Sequence, residues 1–170
     1  MDTIQKIGLG GSCHWCTEAI FQSLIGVENV LQGWISAEAP HTSFSEAVII
    51  TFDSNKISLK TLIEIHLYTH SCSANHSMRA KYRSAIYYFS AAQKEESLEY
   101  LALFQTDFKE KIITDVLSYV DFKINTEIFL DYYYKNPEKP FCENIINPKL
   151  KLIIQKFSKT VDREKLKHLN

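Results

Sequence analysis

Two cysteines stand three residues apart at the predicted start of a helix. A short apolar run, Ile4–Leu9, leads through two glycines to Cys13 and Cys16. Free backbone N–H groups at a helix start favour negative charge, so a cysteine there is biased towards the thiolate, which attacks electrophiles. Cys16 lies one turn further along, and Trp15 between them offers an aromatic wall. The spacing indicates a reactive thiol; the alternative is a pair of cysteines in a core helix, because free cysteine is often buried.

Three further residues are candidates to act with Cys13. Glu46 opens a predicted strand, where partial burial would favour an uncharged carboxyl that can serve as a general acid. Tyr82 opens a second strand, and its phenol can donate a hydrogen bond to a polar oxygen. Cys142 follows a segment interrupted by two prolines, and a mobile thiol there can resolve an oxidised cysteine as a disulfide. The structural alternatives are an exposed glutamate, a core aromatic and a buried cysteine.

Histidine and cysteine also cluster in the middle of the chain. Four potential metal ligands fall within eleven positions: His66, His70, Cys72 and His76. Their spacing reproduces no common zinc pattern. We therefore predict no metal site, and a non-catalytic metal-binding module remains an alternative.

Composition limits the class of protein. A chain of 170 residues that is 45% hydrophobic suits one domain with a real core, which we place over residues 1–170 with a charged tail at 158–170. The net charge of -1 provides no positive electrostatic potential that would attract nucleic acid or a membrane surface, so we expect neither as a partner. Neither a secretory signal nor an apolar run of about 20 residues is visible. Four cysteines, two of them in C-x-x-C, indicate cytosolic thiol chemistry, so we expect a cytoplasmic protein.

Predicted strands and helices alternate along the chain, which indicates α/β or α+β packing. We predict an α+β fold, a ferredoxin-like two-layer sandwich with helices packed on a mixed sheet, and Cys13 at the N-terminus of the first helix. Ser12 is the predicted cap of that helix. The predicted strands are 4–9, 27–35, 46–52, 82–89 and 112–119, and the predicted helices are 12–25, 59–68, 91–104, 127–134 and 148–157.

The sequence around Cys13 resembles the nucleophile motif of the methionine sulfoxide reductase A family. The resemblance continues in the order that the family has, over about residues 4–157. The matching segments are 11–21 (GSCHWCTEAIF), 44–48 (FSEAV), 82–87 (YRSAIY), 133–137 (YYKNP), 140–142 (PFC) and 147–150 (NPKL). The last three belong to one C-terminal segment, and four such pieces in the right order make the resemblance specific.

The resemblance implies a reaction and a role for each candidate. Cys13 would attack the sulfur of methionine S-sulfoxide, peptide-bound or free, and become a sulfenic acid. Glu46 would pass a proton to the sulfoxide oxygen, and Tyr82 would hydrogen-bond that oxygen. Trp15 and His14 would bind the substrate methyl group. No cofactor is implied, because thioredoxin or another dithiol supplies the electrons.

The resemblance leaves the resolving thiol open between Cys142 and Cys16. Cys142 matches the family's recycling position and is the favoured candidate, because cysteines at i and i+3 of a helix are often poorly placed for a disulfide. A thiol–disulfide oxidoreductase or redox sensor that uses Cys13 and Cys16 is the alternative function.

This chain also departs from the family at several positions. Ser12 and His14 stand where the family has glycine and phenylalanine. The shortened loop 36–45 lacks the family's second tyrosine, and residues 70–81 replace its substrate-holding loop. A related small sulfoxide is therefore a further candidate substrate.

Overall fold

The computed structural model describes residues 2–169. The strands are β1 (Ile4–Gly10), β2 (Val27–Ala37), β3 (Ser45–Asp53), β4 (Ala85–Tyr88) and β5 (Asp115–Ile124). The helices are α1 (His14–Gln22), α2 (Leu59–Thr69), α3 (Ala91–Phe104), α4 (Tyr132–Lys135) and α5 (Asn147–Lys156), and a π-helical turn, Cys142–Ile146, precedes α5.

The strands form one mixed sheet in the order β1-β3-β2-β5-β4, which closes on itself through the pairing of β1 with β4. The pairing of β4 with β5 is parallel, whereas all other pairs are antiparallel. The prediction of an α+β fold with helices packed on a mixed sheet is confirmed. The closure of the sheet is a feature that the order of predicted elements did not reveal.

The two faces of the sheet carry separate cores. The outer face packs with the helices around Ile7, Leu9 and Phe21, in a cluster that holds most of the buried side chains. A smaller cluster that includes Ile35 and Tyr87 fills the inside of the ring. Gly8 makes room for it, because a Cβ at this position would lie 2.8 Å from that of Tyr87. A side chain at either face is therefore held by close packing.

Several predicted boundaries shift in the structure. The last strand begins at Asp115 and continues to Ile124. The predicted helix 127–134 is interrupted by Asp131, whose φ of 55° lies in the left-handed region, so only a short 3-10 turn and α4 form there. The charged C-terminal residues pack on the domain: Val161 bridges to Leu24, and Leu166 is buried. Within residues 2–169 no helix combines the length and apolar character needed to cross a membrane.

Candidate active site

Cys13 occupies the cap position of α1. Its carbonyl accepts the first helical hydrogen bonds, from the backbone N–H groups of Cys16 and Thr17 at 3.1 and 3.2 Å. The prediction that Ser12 caps the helix is wrong by one residue, because the turn after β1 runs through Gly11 at φ +148° and delays the helix. Cys13 therefore has non-helical backbone geometry, with φ −51° and ψ 129°, and the helix begins directly after it.

The two thiols of the C-x-x-C motif influence each other's ionisation. A hydrogen bond from the Cys16 thiol is the main cause that lowers the pKa of Cys13, and burial opposes it. The N–H groups of Trp15 and Cys16 lower that pKa further, although neither makes a regular capping bond to the sulfur. The same contact and burial raise the pKa of Cys16 far above its usual range. Cys13 is thus the more acidic thiol of the pair, and Cys16 remains protonated.

Glu46 lies at the start of β3, beside the first turn of α1. Its side chain is 7% exposed, and its Oε1 accepts a hydrogen bond from the backbone N–H of His14 at 3.2 Å. The ring of His14 is 3.4 Å from the same oxygen, and Lys81 is 3.6 Å from Oε2. The negative charge of Glu46 opposes ionisation of Cys13. The structure thus brings the predicted acid to the predicted nucleophile.

A cavity of about 350 Å³ opens beside Cys13. Tyr82 lines it together with residues from the β1–α1 turn, the 71–78 segment and the helical region near the C-terminus. The side chains and backbone that line it belong to Gly11, Ser12, Cys13, Cys16, Ser71, His76, Met78, Tyr82, Phe141, Ile145 and Lys149. The cavity can therefore present a small substrate to Cys13 and to the predicted oxygen-binding phenol.

The two predicted substrate-binding residues lie in different surroundings. They are Trp15 and His14. The indole of Trp15 stacks on Tyr132, with ring centroids 4.1 Å apart, and packs edge-on against Phe141, a cavity-lining residue. His14 is 4% exposed and does not line the cavity; its Nδ1 lies 2.8 Å from the carbonyl oxygen of Gly33. Trp15 thus joins an aromatic cluster beside the site, whereas His14 lies beneath it.

The buried carboxyl of Glu18 holds that aromatic cluster in place. It accepts hydrogen bonds from the backbone N–H groups of Asp131 and Tyr132, at 2.9 and 3.1 Å. Asp131 is the residue with left-handed geometry, so these bonds stabilise an unfavourable backbone conformation. Sequence reasoning missed Glu18, although its place one turn after His14 marks it as a residue of the inward face.

Cys142 is fully buried in the π-helical turn, near Cys16 and Tyr132. Burial raises the pKa of its thiol. The segment that was predicted to be mobile is helical from Pro140 onward, a position that proline tolerates. Among the thiols, Cys16 is the one that acts on the pKa of Cys13, and Cys142 acts in turn on that of Cys16.

Of the histidine and cysteine cluster in the middle of the chain, His66 and His70 bond to the scaffold, whereas His76 lines the cavity. His66 Nε2 lies 2.8 Å from the carbonyl oxygen of Gly10, and His70 Nε2 lies 2.8 Å from the hydroxyl of Ser84. Burial lowers the pKa of His66 to about 4, so its ring is neutral at pH 7. In the part of the chain that the structure describes, no three His, Cys, Asp or Glu side chains are grouped to hold a metal ion.

Arg79 is a second residue that sequence reasoning missed. Its guanidinium donates hydrogen bonds to the carbonyl oxygens of Gly11 and Tyr82, both at 2.8 Å. It also binds the carbonyls of Ser71 and Ala74. Arg79 therefore ties the segment that replaces the family's substrate loop to the turn before Cys13. An arginine in a polar loop has no sequence signal for this role, because its partners are backbone oxygens.

A helix-start thiolate, a contacting second thiol and a nearby carboxyl together define a thiol-dependent oxidoreductase. The sequence model of a family described as "Peptide methionine sulfoxide reductase" matches residues 5–162. The chain belongs to this family, and it is an oxidoreductase that reduces methionine sulfoxide.

Curated relatives agree with this assignment. The chain is 31% identical over 163 residues to a peptide methionine sulfoxide reductase MsrA of Sulfolobus acidocaldarius, covering 88% of this chain and 93% of that protein. It is 30% identical over 170 residues to the MsrA of Trichodesmium erythraeum, covering 91% and 96%.

Solved structures share the fold. The reduced form of Mxr1 from Saccharomyces cerevisiae superposes with a TM-score of 0.71 at 21% identity, covering 82% of this chain and 90% of that one. Methionine sulfoxide reductase A of Corynebacterium diphtheriae superposes with a TM-score of 0.69 at 19% identity, covering 81% and 77%. Mxr1 in complex with Trx2 superposes with a TM-score of 0.59 at 18% identity, covering 74% and 83%.

Proposed function

We propose that this protein reduces methionine S-sulfoxide, or a related small sulfoxide, through a sulfenic acid on Cys13. The observation that carries the proposal is the placement of Cys13: its pKa is lowered, it lines a cavity with Tyr82, and Glu46 lies beside the same helix start. The cavity is large enough for a methionine side chain, and the Trp15 cluster supplies an apolar border for the methyl group.

The first step transfers the sulfoxide oxygen to the enzyme. The Cys13 thiolate attacks the sulfoxide sulfur, while Glu46 gives a proton to the sulfoxide oxygen and Tyr82 donates a hydrogen bond to it. The bond between sulfur and oxygen of the substrate breaks, the thioether leaves, and Cys13 carries the oxygen as a sulfenic acid. The proton released earlier by the Cys13 thiol returns to the Glu46 carboxylate, so the step is balanced.

The second step forms a disulfide and releases water. We place Cys16 first, because its thiol is the largest cause of the lowered pKa of Cys13, which reverses the order favoured by the sequence. Only Cys16 of this pair has helical backbone geometry, because Cys13 is the cap residue, so the pair is not two positions within a regular helix. Cys142, next to Cys16, can then accept the bridge by thiol–disulfide exchange. A dithiol such as thioredoxin restores the thiols, consistent with the Mxr1–Trx2 complex of a structural relative.

The direct test is reduction of each methionine sulfoxide epimer, free and in a peptide, with dithiothreitol as reductant. We expect methionine from the S epimer and none from the R epimer. If the protein reduces a small disulfide but neither epimer, the Cys13–Cys16 contact serves thiol–disulfide exchange instead, and the proposed substrate is wrong.

Peptide mapping after one turnover without reductant identifies the resolving thiol. We expect a Cys13–Cys16 bridge, which Cys142→Ser retains at an unchanged first-turnover rate. Cys16→Ser should leave a sulfenic acid that dimedone traps. A Cys13–Cys142 bridge that forms first in the unmodified protein would show that Cys142 resolves directly.

A further inference from the structure

His14 is a buried histidine whose protonation is dictated by its neighbours. Its Nδ1 lies 2.8 Å from the carbonyl oxygen of Gly33, and a carbonyl oxygen only accepts hydrogen bonds. Nδ1 therefore carries a hydrogen. Whether Nε2 carries a second one depends on the groups that face it.

Asn125 shows that Nε2 presents a lone pair. The Asn125 Oδ1 accepts a hydrogen bond from the backbone N–H of Thr126 at 2.7 Å, which orients the amide. Its NH2 group therefore faces Gln32 Oε1 at 2.6 Å and His14 Nε2 at 3.4 Å. An amide N–H directed at Nε2 needs an acceptor there, so the ring is neutral with its hydrogen on Nδ1.

This lone pair also faces Glu46. The distance from His14 Nε2 to Glu46 Oε1 is 3.4 Å, and both side chains are almost fully buried. Two acceptors that face each other in a buried site repel unless a proton lies between them. A proton on Nε2 would point at the Asn125 N–H group, whereas with a proton on Glu46 Oε1 the one lone pair of Nε2 faces two donors, each at 3.4 Å, and is shared between them.

The surrounding charges agree with a neutral ring. Burial is the largest cause that lowers the pKa of His14; the Gly33 carbonyl and Glu46 oppose it, and Lys81 lowers it further. The charged and titratable groups around the pair are Lys81, 3.6 Å from Glu46 Oε2 and more than half exposed, and the Cys13 thiol. Lys81 lies on the Oε2 side of the Glu46 carboxyl, and His14 lies on the Oε1 side.

We propose that His14 is a positioning residue that holds the acid proton on Glu46, by accepting a hydrogen bond from Glu46 Oε1 at its neutral Nε2. The inference rests on the proposed function, in which Glu46 gives this proton to the sulfoxide oxygen. When the proton leaves, the lone pair of Nε2 opposes the carboxylate, which favours the return of a proton before the next turnover. His14, which stands where the family has phenylalanine, would thereby contribute to catalysis.

The pH dependence of the first turnover tests the inference. Measured without reductant, the alkaline limb of the rate should move to lower pH by about one unit in His14→Phe, which removes the acceptor. His14→Gln should move it at least as far, because its amide can donate to the carboxylate. At a pH above this alkaline limb, a shift of the limb by one pH unit lowers the first-turnover rate about tenfold. Trp34→Phe is the matched control, because Trp34 packs edge-on against His14 at 5.2 Å, and it should keep the wild-type limb.

Three outcomes overturn the inference. The first is an alkaline limb of the rate at or above the wild-type pH in both His14 variants. The second is a shift of that limb in Trp34→Phe equal to that in the His14 variants. The third is a nitrogen-15 NMR spectrum that shows an imidazolium ring or an Nε2–H tautomer of His14 at pH 7. The NMR measurement does not depend on activity. If the His14 ring is neutral with its hydrogen on Nδ1 but the protein reduces neither sulfoxide epimer, the proposed function is wrong. The assignment of the His14 proton would still hold in that case.

Discussion

Replacing Cys13 by serine should abolish reduction of methionine S-sulfoxide, with no product above the uncatalysed background. A serine hydroxyl at this position cannot form a thiolate or a sulfenic acid, and the contacting Cys16 thiol is held in its protonated form by a raised pKa. Cys72→Ser is the matched control, because Cys72 is also buried and lies outside the site cavity. Activity that persists in Cys13→Ser would show that another residue is the nucleophile.

The rate of alkylation provides a second measure of the same assignment. The pKa of Cys13 is lowered and that of Cys72 is raised, chiefly by burial. At any given pH a larger fraction of Cys13 than of Cys72 is therefore thiolate. Iodoacetamide at neutral pH should label Cys13 well before Cys72. Faster labelling of Cys72 would contradict the structure of the site.

Replacing Glu46 by glutamine should lower the first-turnover rate by about 100-fold or more, the usual contribution of a positioned general acid. Glutamine keeps the size of the side chain, and its Oε1 can still accept the hydrogen bond from the His14 backbone at the start of α1. It cannot release a proton to the sulfoxide oxygen. The loss should therefore appear in the rate of the chemical step, with an unchanged unfolding transition.

The control for this substitution is Glu28→Gln, on the exposed part of β2, which should keep the wild-type rate. The measurement covers pH 5 to 9, since a residue that only shapes the site would leave the form of the pH profile intact. Equal activity of Glu46→Gln and the unmodified protein across this range would remove Glu46 from the mechanism.

The sequence alone was sufficient to identify the nucleophile region and the family. The nucleophile region consists of a glycine turn, a cysteine at a helix start and a second cysteine one turn later. These features depend on residues close together in the chain, so local sequence rules predict them. The segments around Glu46 and Tyr82 were recognised by their order along the chain. The α+β class followed from alternating elements, and the family match over residues 5–162 agrees with the span of the resemblance.

Only the tertiary structure decided which way the side chains around Cys13 point. The ring of His14 is held by Gly33 and Asn125, 19 and 111 positions away in the chain, and no local pattern predicts that these residues meet. Cys142 was expected on a mobile segment, yet packing of the π-helical turn buries it completely. Closure of the sheet and these long-range contacts arise when distant elements share one core, because each close-packed position depends on every element around it.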